Sequence, residues 1–572
     1  MPATRISANL GSLQPMVESA MKEMANTRVV ARLWAKDHTL WKPEPTEIAN
    51  RLGWLGVAEQ MREQAGPLRA FAQSVRTAGF RHVVLLGMGG SSLGPEVLRC
   101  TFGSAQGSPR LWVLDSTVPG AVREVTQSIH PARTLFILAS KSGGTIEVLS
   151  LFSHFWNFVA RVRGNTGGAQ FIAITDPNTG LASLAHERRF RSTFLNPPDI
   201  GGRYSVLSYF GLVPAALLGL DLKTLLARGI EMAEACRSTV LLENNPGACL
   251  GAKLGILGRA GRDKVTVITS PRVASFGIWV EQLLAESTGK EYRGLIPIAG
   301  EPMSAPAIYG KDRLFVYLRL DGDVNARADR HVKALERAGQ PVIGLRLRDR
   351  YDLGAEFFLW EFATAVAGYF LGINPFDQPN VQESKENTNR ILEEVRAQGR
   401  LPHEHGASKD GAFADLLRKA APGQYLAILA YMKPSHQADA AIQTLRRAIL
   451  TKHHLPTTAG YGPRYLHSTG QLHKGGPNTG LFLQLIERMT PDMKVPGAAY
   501  TFGTLAQAQA VGDFQSLQMH QRAVVAVRLG PQPISTIRAL ARVPREPGSI
   551  RRRRSHRKQE TTHGKAASKV TR

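Results

Sequence analysis

The 572-residue chain is predicted to be an α/β protein with parallel sheets in two tandem subdomains, and three observations predict it. Short apolar, β-branched runs recur as "HVVLLGM", "RLWVLDS", "TLFILAS" and "QFIAITD", each running into Gly, Ser, Asp or Asn. Helical sequence separates them, which is the alternation of a parallel sheet covered on both faces. The pattern resumes from about residue 264 with "KVTVITS", "LFVYLRL" and "PVIGLRL". Apolar residues make up 43% of the chain and charged ones 20%, a globular composition.

In chain order, residues 1–80 read as a helical N-terminal segment, amphipathic through "EQMREQAGPLRAFAQSVRTAGF". The opening "MPATRISANLGSLQPM" lacks the apolar centre of a signal peptide. Residues 81–235 form the first subdomain. Its greasiest run, "VLSYFGLVPAALLGLDL", is cut by Pro214 and Gly219 and reads as a buried helix, short of the roughly 18 uninterrupted apolar residues of a membrane span. Residues 236–400 form the second subdomain. After "RAQGRLPHEHGASKDG", residues 401–541 are expected to complete that subdomain and the active site.

Residues 542–572 carry eight Arg and three Lys against two Glu, a net +9 of the chain's +25. Nearly free of large apolar residues, they read as a disordered, solvated basic tail. With no aromatic residue, the tail predicts no specific nucleic-acid partner. The remaining positive charge suits an acidic, phosphorylated substrate. Three scattered cysteines, Cys100, Cys236 and Cys249, predict no disulfide framework and a reducing, cytoplasmic setting. His403 and His405, like His453 and His454, lack a second ligand cluster, so no metal site is expected.

Four stretches carry chemistry. In "RHVVLLGMGGSSLGPEV" a strand turns through Gly87, Gly89 and Gly90 toward a helix with Pro95 in its first turn. Backbone N–H groups at such a turn attract phosphate, and Ser91 and Ser92 can add hydroxyl donors. Residue 92 is Ser and Gly94 comes one place late, so this is no dinucleotide fingerprint, and no Walker lysine follows. In "FILASKSGGTIEVL", Ser140, Ser142 and Thr145 precede Glu147 in the first helical turn. One hydroxyl would cap the helix; three make a cup for a phosphate monoester. "IGGRYSVLS" sets Arg203, a rigid permanent cation, between glycines and an apolar helix. In "FGIWVEQLLAESTGKEY", Trp279, Leu283 and Glu286 share one helical face while Glu281 points well round. A carboxylate on a buried face is paired, with Lys290 or an Arg, or functional, and burial raises its pKa toward that of a general base.

Together these loops resemble the sugar isomerase (SIS) fold and, within it, the phosphoglucose isomerase family. That family shows a Gly-x-Gly-Gly-Ser-x-x-Gly-Pro loop, a Ser-Lys-[Ser/Thr] phosphate loop, a Gly-Gly-Arg-[Tyr/Phe]-Ser segment and a Glu-Ser-x-Gly-Lys motif, all present here in order. "NPFDQPNVQESK" is similar to its Phe-Asp-Gln signature, followed seven residues after Gln378 by Lys385. The resemblance implies two α-β-α sandwich subdomains and an aldose–ketose isomerase for glucose 6-phosphate and fructose 6-phosphate, with no cofactor and a homodimeric assembly. It implies phosphate contacts from Gly90, Ser91, Ser140, Ser142, Thr145 and Gln378. Glu286 becomes the proton shuttle, Arg203 the enediolate stabiliser and Lys385 an aid to ring opening.

The family's ring-opening histidine lies between the Glu and Phe-Asp-Gln motifs, where this chain has only His331, on an ordinary helix surface. Well downstream, "RYLHSTGQLHKGGP" resembles the histidine segment of bacterial isomerases, making His467 the candidate and His473 the runner-up. The segment is expected to have moved in sequence while keeping its place in space. Its wording is similar to the isomerase half of bifunctional transaldolase–phosphoglucose isomerases. About 80 residues precede the first loop, too few for a barrel of roughly 250, so no transaldolase activity is expected. Two other readings are a dual-specificity phosphoglucose/phosphomannose isomerase and a non-catalytic sugar-phosphate-binding regulator, the latter needing no Glu286, Arg203 and Lys385 together.

Overall fold

The computed structural model describes residues 5–398 and 411–542. His403, His405 and the tail beyond Arg542 lie outside the described residues. Every run expected to be a strand is one, because its apolar residues are largely buried between helices, with Arg110 and Arg346 the exposed exceptions.

The first sheet runs Arg110–Leu114, His82–Gly87, Thr134–Ala139, Phe171–Thr175, Ser192–Leu195, all parallel. In the second, Val342–Leu347, Arg313–Leu320, Lys264–Thr269 and Ile296–Ala299 are parallel, and Arg5–Asn9 adds an antiparallel edge strand. The N-terminal segment is therefore not wholly helical: its first described residues cover the open edge of Val342–Leu347. Residues 401–541 do not extend the second sheet either. Their described part forms a third parallel sheet, Thr457–Tyr461, Tyr425–Tyr431, Gly480–Ile486, Ala523–Arg528. "QYLAILAYM" supplies one of its two central strands, buried along its whole length.

Two features of the core position the site. The helix Pro246–Arg259 presents Gly247, Gly251 and Gly255 to Phe362, Val366 and Phe370 of the helix Leu353–Leu371, where an added Cβ would lie within 2.5–2.7 Å of those side chains. That close approach carries the chain to Gly372, which ends the second helix at φ +68°, and into the segment 374–378. "VLSYFGLVPAALLGLDL" supplies the buried helix Tyr209–Leu218, with Pro214 inside it, anchoring the turn that carries Arg203. Among the described residues, no helix is long and apolar enough to cross a membrane.

Candidate active site

The helix Phe276–Thr288 buries Trp279 and Leu283 and, on the same face, leaves Glu286 only 7% exposed. Glu281 projects elsewhere and accepts a hydrogen bond from the Ala299 N–H. Arg203 lies 3.8 Å from the Glu286 carboxylate. The guanidinium donates from Nε to Ser287 Oγ (2.7 Å), from Nη1 to Gln378 Oε1 (2.6 Å), and from Nη2 to the carbonyls of Pro375 (2.7 Å) and Asp377 (3.0 Å). Of its five N–H groups these bonds leave one, on Nη1, the nitrogen nearest Glu286. Burial raises the Glu286 pKa above the usual carboxylate value, with Arg203, a bond from Gln282 and the charge of His467 pulling the other way. Lys290 does not neutralise Glu286 directly. Its ammonium donates to the carbonyls of Asn374 and Asp377 and to the Asp377 carboxylate, and burial lowers its pKa to about 8.

His467 reaches this group from 181 residues downstream of Glu286. Gln282 Nε2 donates both to Glu286 Oε2 (3.0 Å) and to the His467 carbonyl (2.9 Å), tying the two segments together. The glycine turn makes room for this. Gly89 sits at φ +55°, where an added Cβ would lie 2.4 Å from the His467 carbonyl, and a Cβ on Gly90 would lie 2.1 Å from that of Gly202. Gly90 thus packs on the Arg203 turn, Ser91 is half-buried, and Ser92 turns its hydroxyl to the Gly89 carbonyl.

His467 Nε2 hydrogen-bonds Glu147 Oε1 at 2.7 Å. Burial would raise the Glu147 pKa, but the charge and hydrogen bond of His467, with Lys385, outweigh it and the net shift is downward. His467, Glu147, Thr145 and Lys385 line one cavity of about 90 Å³, Lys385 entering from the exposed face of the helix Pro379–Gln398. Beside it Ser140 Oγ bonds Thr145 Oγ1 (2.8 Å) and accepts from the Gly143 N–H (3.1 Å). Thr145 precedes the helix Ile146–Arg163 yet makes no capping bond, so helix capping does not account for its hydroxyl. Ser142 is exposed.

Two expectations change. His473 is buried, its ring set between Tyr465 and Phe482, and burial together with Lys474 and Arg522 holds it far below the usual imidazole value. A neutral core histidine cannot be the ring-opening group. Gln378, expected against phosphate, has its side-chain oxygen on Arg203. Gln282 and Ser287 were not legible as site residues; the one available signal was that Gln282 stands one helical turn before Glu286.

A family model described as Phosphoglucose isomerase matches residues 54–311. A glucose-6-phosphate isomerase of Rubrobacter xylanophilus is 30% identical over 364 residues, covering 55% of this chain and 84% of that protein. The chain belongs to the phosphoglucose isomerase family. A glucose-6-phosphate isomerase of Carboxydothermus hydrogenoformans is 28% identical over 395 residues, 60% of this chain and 85% of that one. Among solved structures, a hypothetical protein from Thermus thermophilus matches with TM-score 0.59 and 25% identity over 68% of this chain and all of that one. A glucose-6-phosphate isomerase from Chlamydia trachomatis shares the fold with TM-score 0.57 and 18% identity, over 69% and 89%. Lys385 and His467 lie beyond the range matched by the family model, yet the fold returns both to the Glu147 wall.

Proposed function

We propose that the chain interconverts glucose 6-phosphate and fructose 6-phosphate, the glycolytic and gluconeogenic aldose–ketose isomerisation, through a cis-enediolate. The observation that carries this reading is the buried Glu286 carboxylate 3.8 Å from Arg203, tied through Gln282 to the His467 segment. A sugar-phosphate-binding regulator would need the hydroxyl loop but not that grouping, and nothing favours a mannose-phosphate specificity over glucose.

In this reading the loop of Ser140, Ser142 and Thr145, with Gly90 and Ser91, holds the phosphorylated end, while Gln378 holds the Arg203 guanidinium. His467, held by the Glu147 carboxylate, and Lys385 move the proton that opens the ring. Glu286 removes the proton from C2 of the open aldose and returns it to C1, and the reverse for the ketose. Its raised pKa matches a base that must also release that proton near neutral pH. The free Nη1–H of Arg203 meets the oxyanion of the enediolate, held in place by four other bonds. A cytoplasmic homodimer belongs to the same reading, and sedimentation equilibrium tests the dimer.

The test is a coupled assay of glucose 6-phosphate formation from fructose 6-phosphate. Wild type should turn over, and Glu286→Gln should lose at least about a hundredfold in kcat. A folded Glu286→Gln protein with unchanged kcat removes Glu286 from the chemistry.

A further inference from the structure

The third sheet brings one helix to the site that nothing in the reaction scheme yet uses. The helix Phe502–Met519 carries Gln509 and Asp513 one turn apart, Asp513 on the His467 segment and Gln509 on the first subdomain. Asp513 accepts from Tyr465 Oη (2.6 Å) and Lys474 Nζ (2.6 Å), which flank the His467 turn on both sides. Gln509 Nε2 donates to Glu147 Oε1 at 2.7 Å, the same oxygen that meets His467 Nε2. The Thr117 hydroxyl donates to Gln509 Oε1 at 2.9 Å, so the amide is held with its NH2 toward the carboxylate. Thr117, Gln509 and Glu147 are all buried.

We infer that Gln509 is a positioning residue for the isomerisation: it fixes the Glu147 carboxylate and thereby sets the proton affinity of His467. The inference rests on the isomerase reading for its kinetic arm alone. An N–H donor on Glu147 stabilises the carboxylate most when His467 is neutral, since the negative charge then has no cationic partner. Removing the donor therefore penalises the neutral-histidine state and makes His467 hold its proton to higher pH. The other charged or titratable groups facing the pair are Lys385 from the helix Pro379–Gln398, Glu286 from the helix Phe276–Thr288 and Tyr431 from a central strand of the third sheet. None of them occupies the position of the Gln509 amide on Glu147.

The experiment follows His467 by 13Cε1-histidine NMR against pH in the full chain, the resonance assigned by its loss in His467→Gln. In Gln509→Leu the His467 pKa should rise by about half to one pH unit, the scale of one hydrogen bond to a charged group. With fructose 6-phosphate as substrate, kcat should fall about tenfold and its acidic limb move to higher pH, with KM unchanged because the hydroxyl loop is untouched. Should that variant not fold, the near-isosteric Thr117→Val frees the amide to rotate and should shift His467 in the same direction by less. An unmoved His467 titration in a folded variant overturns the inference. A shifted titration in an enzyme that does not turn over fructose 6-phosphate would keep the positioning role and overturn the isomerase reading instead.

Discussion

Two helices of this protein each bury a glutamate, and they do so differently. In Phe276–Thr288, Glu286 has Arg203 at 3.8 Å and an amide bond from Gln282. In Leu353–Leu371, Glu361 is wholly buried with neither carboxyl oxygen bonded. Burial raises both pKa values, that of Glu361 well above the ordinary range with no opposing influence. The contrast separates desolvation from function: a carboxylate that only loses water stays neutral, whereas one that loses water beside a cation can cycle its proton.

The comparison is broken first by making one substitution in both places. Glu286→Gln should abolish nearly all turnover, whereas Glu361→Gln should leave kcat within about twofold, because it touches no group that moves a proton. Equal losses in the coupled assay would erase the distinction. Next, Arg203→Met should cost about a hundredfold in kcat by removing the donor proposed to meet the enediolate. It should also move the acidic limb of kcat/KM to higher pH, since Arg203 is the main influence holding the Glu286 pKa down. A limb that stays or moves down contradicts the pairing.

In wild type that acidic limb should lie above the ordinary glutamate value of 4.5, because the base must be ionised and its folded pKa is raised. The smallest effect concerns stability. A carboxyl whose folded pKa is raised costs nothing below the unfolded pKa, and the cost grows as pH rises through and above it. Glu361→Gln should therefore match wild type in thermal unfolding near pH 4 and exceed it by about 1 kcal/mol or more near pH 8. A difference that shrinks with rising pH refutes the assignment.

Much of the candidate site was legible residue by residue. Glu286 declared itself by sharing a helical face with Trp279 and Leu283, and the Ser140–Thr145 loop by holding more hydroxyls than a cap requires. Between His467 and the runner-up His473 the motif could not choose, and only packing against Tyr465 and Phe482 shows His473 to be core. Gln509 gave no signal, being an amide in a helix whose partners, Thr117 and Glu147, stand more than 300 residues away. The third sheet was missed because apolar runs such as "QYLAILAYM" state that a strand is buried without stating against which neighbours.

The sequence by itself determined the α/β class, the strands that are continuous apolar runs and the chemical kind of each loop, because periodicity, glycine and hydroxyl spacing act over a few residues. Only the tertiary structure decided which sheet the last segment builds, which histidine faces Glu147, and that Arg203 stands by Glu286. Those are outcomes of packing between residues far apart in the chain, where close backbone approach at Gly89 and Gly90 and the desolvation of charge select one arrangement.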